Sequence, residues 1–166
     1  AYHYLPNDVK IIGITGSNGK TTTTTLIYEM LKKMNLPVHL GGNIGYPLSS
    51  IVKEVEPGDI VLLEISDHQL LNFKDFKTNI SVLTNLCPTH LDFHGSYDAY
   101  KKTKQKIFAN HTKADLAILN ASNEESIHET QNINSKKEYF TKENAYIKDN
   151  KIYINQEEII ALDEIK

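Results

Sequence analysis

The stretch Ile11-Ile12-Gly13-Ile14-Thr15-Gly16-Ser17-Asn18-Gly19-Lys20-Thr21-Thr22 constrains this chain more than any other. An apolar β-type run ends in glycines, then Lys-Thr, then a helix-forming segment. Glycines let backbone N–H groups close around an anion with no Cβ in the way. A helix opening at Lys20 directs its positive dipole end at the same anion. Lys20 supplies a point charge for outer phosphates, and the Thr21 hydroxyl stands where such loops ligate Mg²⁺. The usual spacing places a further glycine at the position held here by Ile14, so the loop is tighter than the common pattern. An ordinary glycine turn would not explain Lys-Thr at the helix start.

A chain of 166 residues suits one α/β domain with a substantial core. The formal net charge is −3 with 23% charged residues, which gives no sign of a nucleic-acid or membrane partner. The apolar runs are too short to span a bilayer, and no signal peptide opens the chain. Its single cysteine, Cys87, excludes an internal disulfide framework. The composition reads as soluble, intracellular and cytoplasmic.

Residues 1–9 read as a linker with a turn at Pro6-Asn7-Asp8. Lys10 to Thr15 is a buried parallel strand. The helix from Lys20 reaches about Met34, with Leu26, Ile27, Met30, Leu31 and Met34 forming one apolar stripe. Val38 to Leu40 is a strand, Gly41 to Gly45 a second glycine-rich loop, and Pro47 opens a helix to about Val55. Ile60 to Ile65, Asn79 to Thr84 and Asp115 to Leu119 are further strands. Ser96 caps a helix to about Asn110, and Asn120 to Asn123 starts another. This alternation predicts an α/β fold, a doubly wound, mostly parallel sheet with a phosphate-binding loop. Segments 15–20, 41–45, 64–69 and 85–94 all follow strands and should converge on the rim where such sheets bind ligands. From about Lys137 the runs Glu138–Phe140, Ala145–Lys148, Lys151–Ile154 and Ile159–Leu162 predict a small C-terminal antiparallel β appendage, with a turn at Asp149-Asn150.

Glu64 ends a strand that is otherwise Ile, Val and Leu. A carboxylate there is costly unless it meets a cation, and beside a phosphate loop the natural one is Mg²⁺; the bland alternative is an exposed strand-end Glu. Cys87, His90, Asp92 and His94 are dense in donors, but their spacing is no standard zinc pattern. A Cys–His nucleophile pair also competes poorly with phosphate chemistry, and His90 as a neutral ligand beside Mg²⁺ suits the loop better. Lys104 shares its helix face with Tyr100, Ile107 and Phe108. An inward lysine needs an anion or loses its charge, unless its stem simply reaches solvent. Asn43 is either a ligand-facing amide or a turn stabiliser. His3, His39, His111 and His128 read as surface or core residues.

Taken in order, Thr15 to Thr22, Gly42-Asn43-Ile44-Gly45, Glu64-Ile65-Ser66-Asp67-His68-Gln69-Leu70, Thr84-Asn85-Leu86 leading to His90-Leu91-Asp92, and Tyr100 to Lys104 resemble the Mur ligases. The Gly-Asn-Ile-Gly loop and the Glu-x-Ser-x-x-Gln-Leu run are most similar to the branch that adds D-glutamate. The resemblance runs from about residue 10 to the end. It implies that 10–166 is the central ATPase domain, without the N-terminal UDP-binding and C-terminal domains of the family. It implies an ATP-dependent ligase that joins UDP-N-acetylmuramoyl-L-alanine to D-glutamate through an acyl phosphate, in peptidoglycan synthesis.

By the same resemblance, Gly16, Ser17, Asn18, Gly19, Lys20, Thr21 and Thr22 would hold ATP. Thr21 and Glu64 would hold one Mg²⁺, and His90 would help to hold a second. Lys104 matches a lysine carbamylated in the family, which makes it a carboxylate-like metal ligand. Asn43 and Ser66 match positions near the muramoyl substrate, and Asn120 lies where the family approaches the nucleotide. Lys20, His90 and Lys104 would be the catalytic set. The chain departs from the D-glutamate branch at Asp67 and His68, where Ser and Phe are usual, and His68 resembles the tripeptide-forming branch. Competing expectations are that branch, a folylpolyglutamate synthase, or a nucleotide-binding module without ligase activity.

Overall fold

The computed structural model describes residues 1–164. Its strands are β1 (Lys10–Thr15), β2 (Val38–Gly42), β3 (Ile60–Glu64), β4 (Ile80–Leu83), β5 (Leu116–Asn120), β6 (Lys136–Phe140), β7 (Ala145–Lys148), β8 (Lys151–Ile154) and β9 (Glu157–Ala161). Its α-helices are α1 (Lys20–Lys33), α2 (Leu48–Ile51), α3 (Asp67–Leu71), α4 (Leu91–His94), α5 (Tyr97–Gln105) and α6 (Glu124–Glu129). The first six strands form one parallel sheet in the order β2-β3-β1-β4-β5-β6. The chain leaves β1 toward one edge and β4 toward the other. The crevice between their C-terminal ends is therefore the switch point at which such sheets take ligands.

Successive residues along each strand feed opposite faces. Ile11, Val61, Leu63, Ile65, Leu83, Ala117 and Leu119 join Tyr100, Ile107, Phe108 and Leu70 in the larger core. Ile14, Leu62 and Val82 form the smaller one, under Ile27 and Tyr28 of α1. The first nine residues lie against the domain: Val9 is buried, and Tyr2 packs edge-on against Phe76.

Three expectations are corrected. Glu138–Phe140 belongs to β6, which pairs parallel with β5 along Leu116–Asn120, so the antiparallel sheet contains only β7, β8 and β9. As an edge strand β6 is largely exposed, and its polar alternation resembles that of a small antiparallel sheet. The apolar stripe on α1 is not the buried one: Leu26 is 61%, Met30 55% and Met34 66% exposed. The helix instead seats Thr24, fully buried, with Ile27 and Tyr28 on the sheet. The third correction concerns the second glycine loop. Gly41 and Gly42 are the last residues of β2, and the helix after Pro47 stops at Ile51.

At the sheet's opposite end, His111 is a buried hub. Its Nε2 lies 2.8 Å from Thr78 Oγ1 and 3.1 Å from Ser81 Oγ, and its Nδ1 lies 2.6 Å from Ser135 Oγ. Burial pushes its pKa below 6.5, with Lys77 acting in the same direction and Asp115 opposing. The unfolded chain therefore takes up this proton first as pH falls. Stability present above about pH 6.5 is lost below it. Denaturant unfolding at pH 7.5 and 5.5 should show that loss, and His111→Gln should shrink it. A variant as acid-sensitive as the parent would reject the role.

Candidate functional site: a phosphate loop with an acid edge

The loop after β1 is stapled to the segment after β4. Ser17 N–H donates to Asn85 O at 2.9 Å, Asn18 N–H to Asn85 Oδ1 at 3.0 Å, and Thr84 Oγ1 to Asn18 O at 2.6 Å. Cys87 N–H donates to Ser17 Oγ at 2.9 Å, and Asn18 Nδ2 to Cys87 Sγ at 3.3 Å. Tyr100 OH lies 2.9 Å from Ser17 Oγ, and burial pushes the phenol pKa up to about 12. The side chains of Ser17 and Asn18 thus shape the loop, leaving phosphate contacts to its backbone amides. Thr84, Asn85, Cys87 and Tyr100 are structural partners that pattern reading missed, because each lies more than sixty residues away in sequence. Gly16 has φ +149°, and a Cβ there would fall 2.0 Å from Thr84 Oγ1. Lys20 opens α1 and folds its Nζ over the loop, 3.0 Å from both Gly16 O and Ser17 O. Thr21 and Thr22 are exposed in the first turn.

Glu64 is 1% exposed at the end of β3. Its Oε1 accepts from Asn43 Nδ2 at 2.7 Å, while Oε2 is buried with no hydrogen-bond partner. Asn43 N–H also donates to Glu64 O at 2.8 Å, so the second glycine loop orients the carboxylate. An orphaned buried carboxylate oxygen is costly and fits a hard cation. Among the described residues, no three His, Cys, Asp or Glu side chains are grouped as a metal-ligand set. That arrangement suits Mg²⁺, which takes one or two carboxylates and completes its shell with phosphate and water. It leaves the zinc reading of Cys87, His90, Asp92 and His94 without support.

Ser66 caps α3 and accepts from Gln69 N–H, while Gln69 Oε1 accepts from Ser66 N–H. Asp67, next in line, is 4% exposed. Its Oδ2 accepts from His94 Nε2 at 2.7 Å, and its Oδ1 lies 3.6 Å from Lys104 Nζ. Burial opposes ionisation of Asp67, but the His94 hydrogen bond and the Lys104 charge outweigh it and hold the carboxyl at about 2. Lys104 is fully buried on the inward face of α5, so its stem does not reach solvent. Burial lowers its pKa to about 8; Asp67 works against that shift and Lys20 with it. His90 starts α4 in the left-handed region at φ 52° and is exposed, its ring 6.3 Å from that of His68. His68 in turn packs on Phe93, with ring centres 4.1 Å apart. The four rim segments therefore do converge: loop 16–20 with 84–87, 43 with 64, and 67 with 94. Asn120 Nδ2 donates to Thr84 O at 3.0 Å. It lines a groove beside the loop with Gly19, Thr23, Ile27, Ile118 and Phe140.

Fold and site together define an α/β domain with a phosphate-binding loop and an acidic strand tip at its switch point. The Mur ligase middle domain matches residues 14–164, and the chain belongs to that family. It is 42% identical over 170 residues to the UDP-N-acetylmuramoylalanine–D-glutamate ligase of Geobacillus sp. (strain WCH70), covering 99% of this chain and 37% of that protein. It is also 42% identical over 161 residues to the Streptococcus uberis ligase of the same name, covering 95% of this chain and 36% of that protein. The chain thus spans little more than a third of the length of these relatives. Among solved structures, MurF ligase from Thermotoga maritima in complex with ADP superposes with a TM-score of 0.72 at 22% identity, over 92% of this chain and 40% of that one. At that identity the match speaks for the fold. No described helix is long and apolar enough to cross a membrane.

Proposed function

We propose that this chain is the ATP-binding central domain of a ligase that joins D-glutamate to UDP-N-acetylmuramoyl-L-alanine, working with flanking N- and C-terminal domains. The observation that carries the chemical part is the unpartnered Glu64 Oε2, an acid edge at the same sheet rim as a phosphate loop. The family and the relatives' names support the acceptor.

The amides of Gly16 to Thr22 and the Lys20 ammonium bind the ATP phosphates, and the groove lined by Asn120 receives the nucleoside. Thr21 and Glu64 hold one Mg²⁺, and His90 on the exposed rim contributes to a second. Bound there, the metal neutralises phosphate charge. A carboxylate oxygen of the alanine attacks the γ-phosphorus, and the β–γ bridging bond breaks toward ADP. The D-glutamate amine then attacks the acyl carbon, loses a proton, and inorganic phosphate leaves. The loop's contribution is alignment and charge stabilisation rather than covalent help. Asn43 serves this reading by aiming Glu64, and Ser66 by starting the helix that carries Asp67.

The test is phosphate release by the protein carrying this chain with its flanking domains. ATP and UDP-N-acetylmuramoyl-L-alanine are supplied with D-glutamate, a diamino acid or a folate. Release that needs D-glutamate is the expected result. Dependence on another acceptor, or no product with any, rejects the proposal.

A further inference from the structure

We propose that Asp67 and His94 hold Lys104 as an unmodified ammonium behind the phosphate loop, so that the carboxylate at this point of the site comes from the chain's own aspartate and not from a carbamylated lysine. Lys104 Nζ has three neighbours: Asp67 Oδ1 at 3.6 Å, Thr15 Oγ1 at 3.3 Å, and the Tyr100 ring, with its centre 5.5 Å away. Each is a partner for a cation: a carboxylate, a hydroxyl oxygen and an aromatic face. The Thr15 hydroxyl donates to Ile65 O at 2.7 Å, which leaves its lone pair for the ammonium.

Asp67 is fixed independently of the lysine. His94 Nε2 donates to Oδ2 at 2.7 Å with its side chain 3% exposed, and His68 Nδ1 stands 3.6 Å from the same oxygen. Three helices, α3, α4 and α5, therefore meet on one carboxylate. A carbamate at Nζ would remove the positive charge facing Asp67 and set a second anion against it in a buried space. Like charges so placed repel strongly, and an unpaired buried charge costs several kcal/mol. Lys20 is turned away, bonded to Gly16 O and Ser17 O. The ammonium–carboxylate pair satisfies both partners without modification. It also ties the inner wall to Thr15, the last residue before the loop, and so fixes a cation behind the phosphate site. The inference rests on the ligase reading only in that the family's lysine is carbamylated at this position.

The experiment is ¹³C NMR of the chain equilibrated with ¹³C-bicarbonate, with Lys104→Arg to identify any signal from this lysine. No Lys104-dependent carbamate signal is expected in the parent, and one is expected in Asp67→Ser. Asp67→Asn keeps the side-chain volume and repeats the comparison, with circular dichroism confirming the fold of each variant. A Lys104-dependent carbamate in the parent overturns the proposal. So does its absence from every folded Asp67 variant. The readout needs no ligase activity. Titration of the same samples with ATP and Mg²⁺ tests nucleotide binding separately, so the two readings fail in different measurements.

Discussion

Lys20→Ala is expected to weaken ATP binding by about 100-fold or more while leaving the fold intact. The ammonium lies 3.0 Å from Gly16 O and 3.0 Å from Ser17 O, folded over the loop it serves. A phosphate entering the loop offers charged oxygens in place of those neutral carbonyls. Charge-assisted bonds are worth about 1.5–3 kcal/mol each, so losing two of them costs about two orders of magnitude in affinity. Alanine is the best helix former, and residue 20 is the first of α1, so the helix survives. The loop itself is held elsewhere, through Ser17, Asn18, Thr84 and Asn85. Calorimetric titration with ATP and Mg²⁺, beside far-UV circular dichroism, measures both halves. Undiminished affinity in a folded variant would remove Lys20 from the phosphate site.

What could be read from the chain is what local chemistry dictates. β1 and the loop behind it are legible because an apolar run, glycines of free φ and Lys-Thr are contiguous and have few other uses. Glu64 is legible because a charge ending an apolar strand demands a reason, and the orphaned Oε2 is that demand made structural. Lys104 is legible from helical periodicity, since its face also holds Tyr100 and Ile107. The parts that escaped depend on distance in sequence or on tertiary choice. Asp67 and His94 are 27 residues apart, and neither belongs to a pattern that predicts the other. Helix α1 carries more apolar residues than its contact with the sheet uses. Periodicity alone favoured the larger Leu26, Met30 and Met34, whereas close packing favours the small Thr24, whose hydroxyl donates to Lys20 O at 2.8 Å. β6 was misassigned because an edge strand keeps one side in water, which makes a parallel strand look like part of a hairpin.

Glu64→Gln should move stability and metal response in opposite directions. In the parent, Oε1 is taken by Asn43 Nδ2 and Oε2 has nothing, in a residue 1% exposed. A buried polar group left unpaired costs about 1–3 kcal/mol, and more when it is charged. Glutamine keeps the shape and keeps an oxygen for Asn43 to donate to, while removing the buried charge. Without metal or nucleotide the variant should therefore unfold at a temperature higher by about 2–4 °C, the shift that about 1 kcal/mol produces in a domain of this size. With ATP present, the parent should gain stability on adding Mg²⁺, because ligands that bind only the folded state raise its stability by mass action. The variant should lose most of that gain, since an amide is a far weaker partner than a carboxylate for a hard dication. Thermal unfolding with and without Mg²⁺, in the presence of ATP, reads both signs in one experiment. A residue that merely packed would show neither a rise without metal nor a lost response with it. A variant destabilised in the absence of metal yet fully responsive to Mg²⁺ would place the cation away from Glu64.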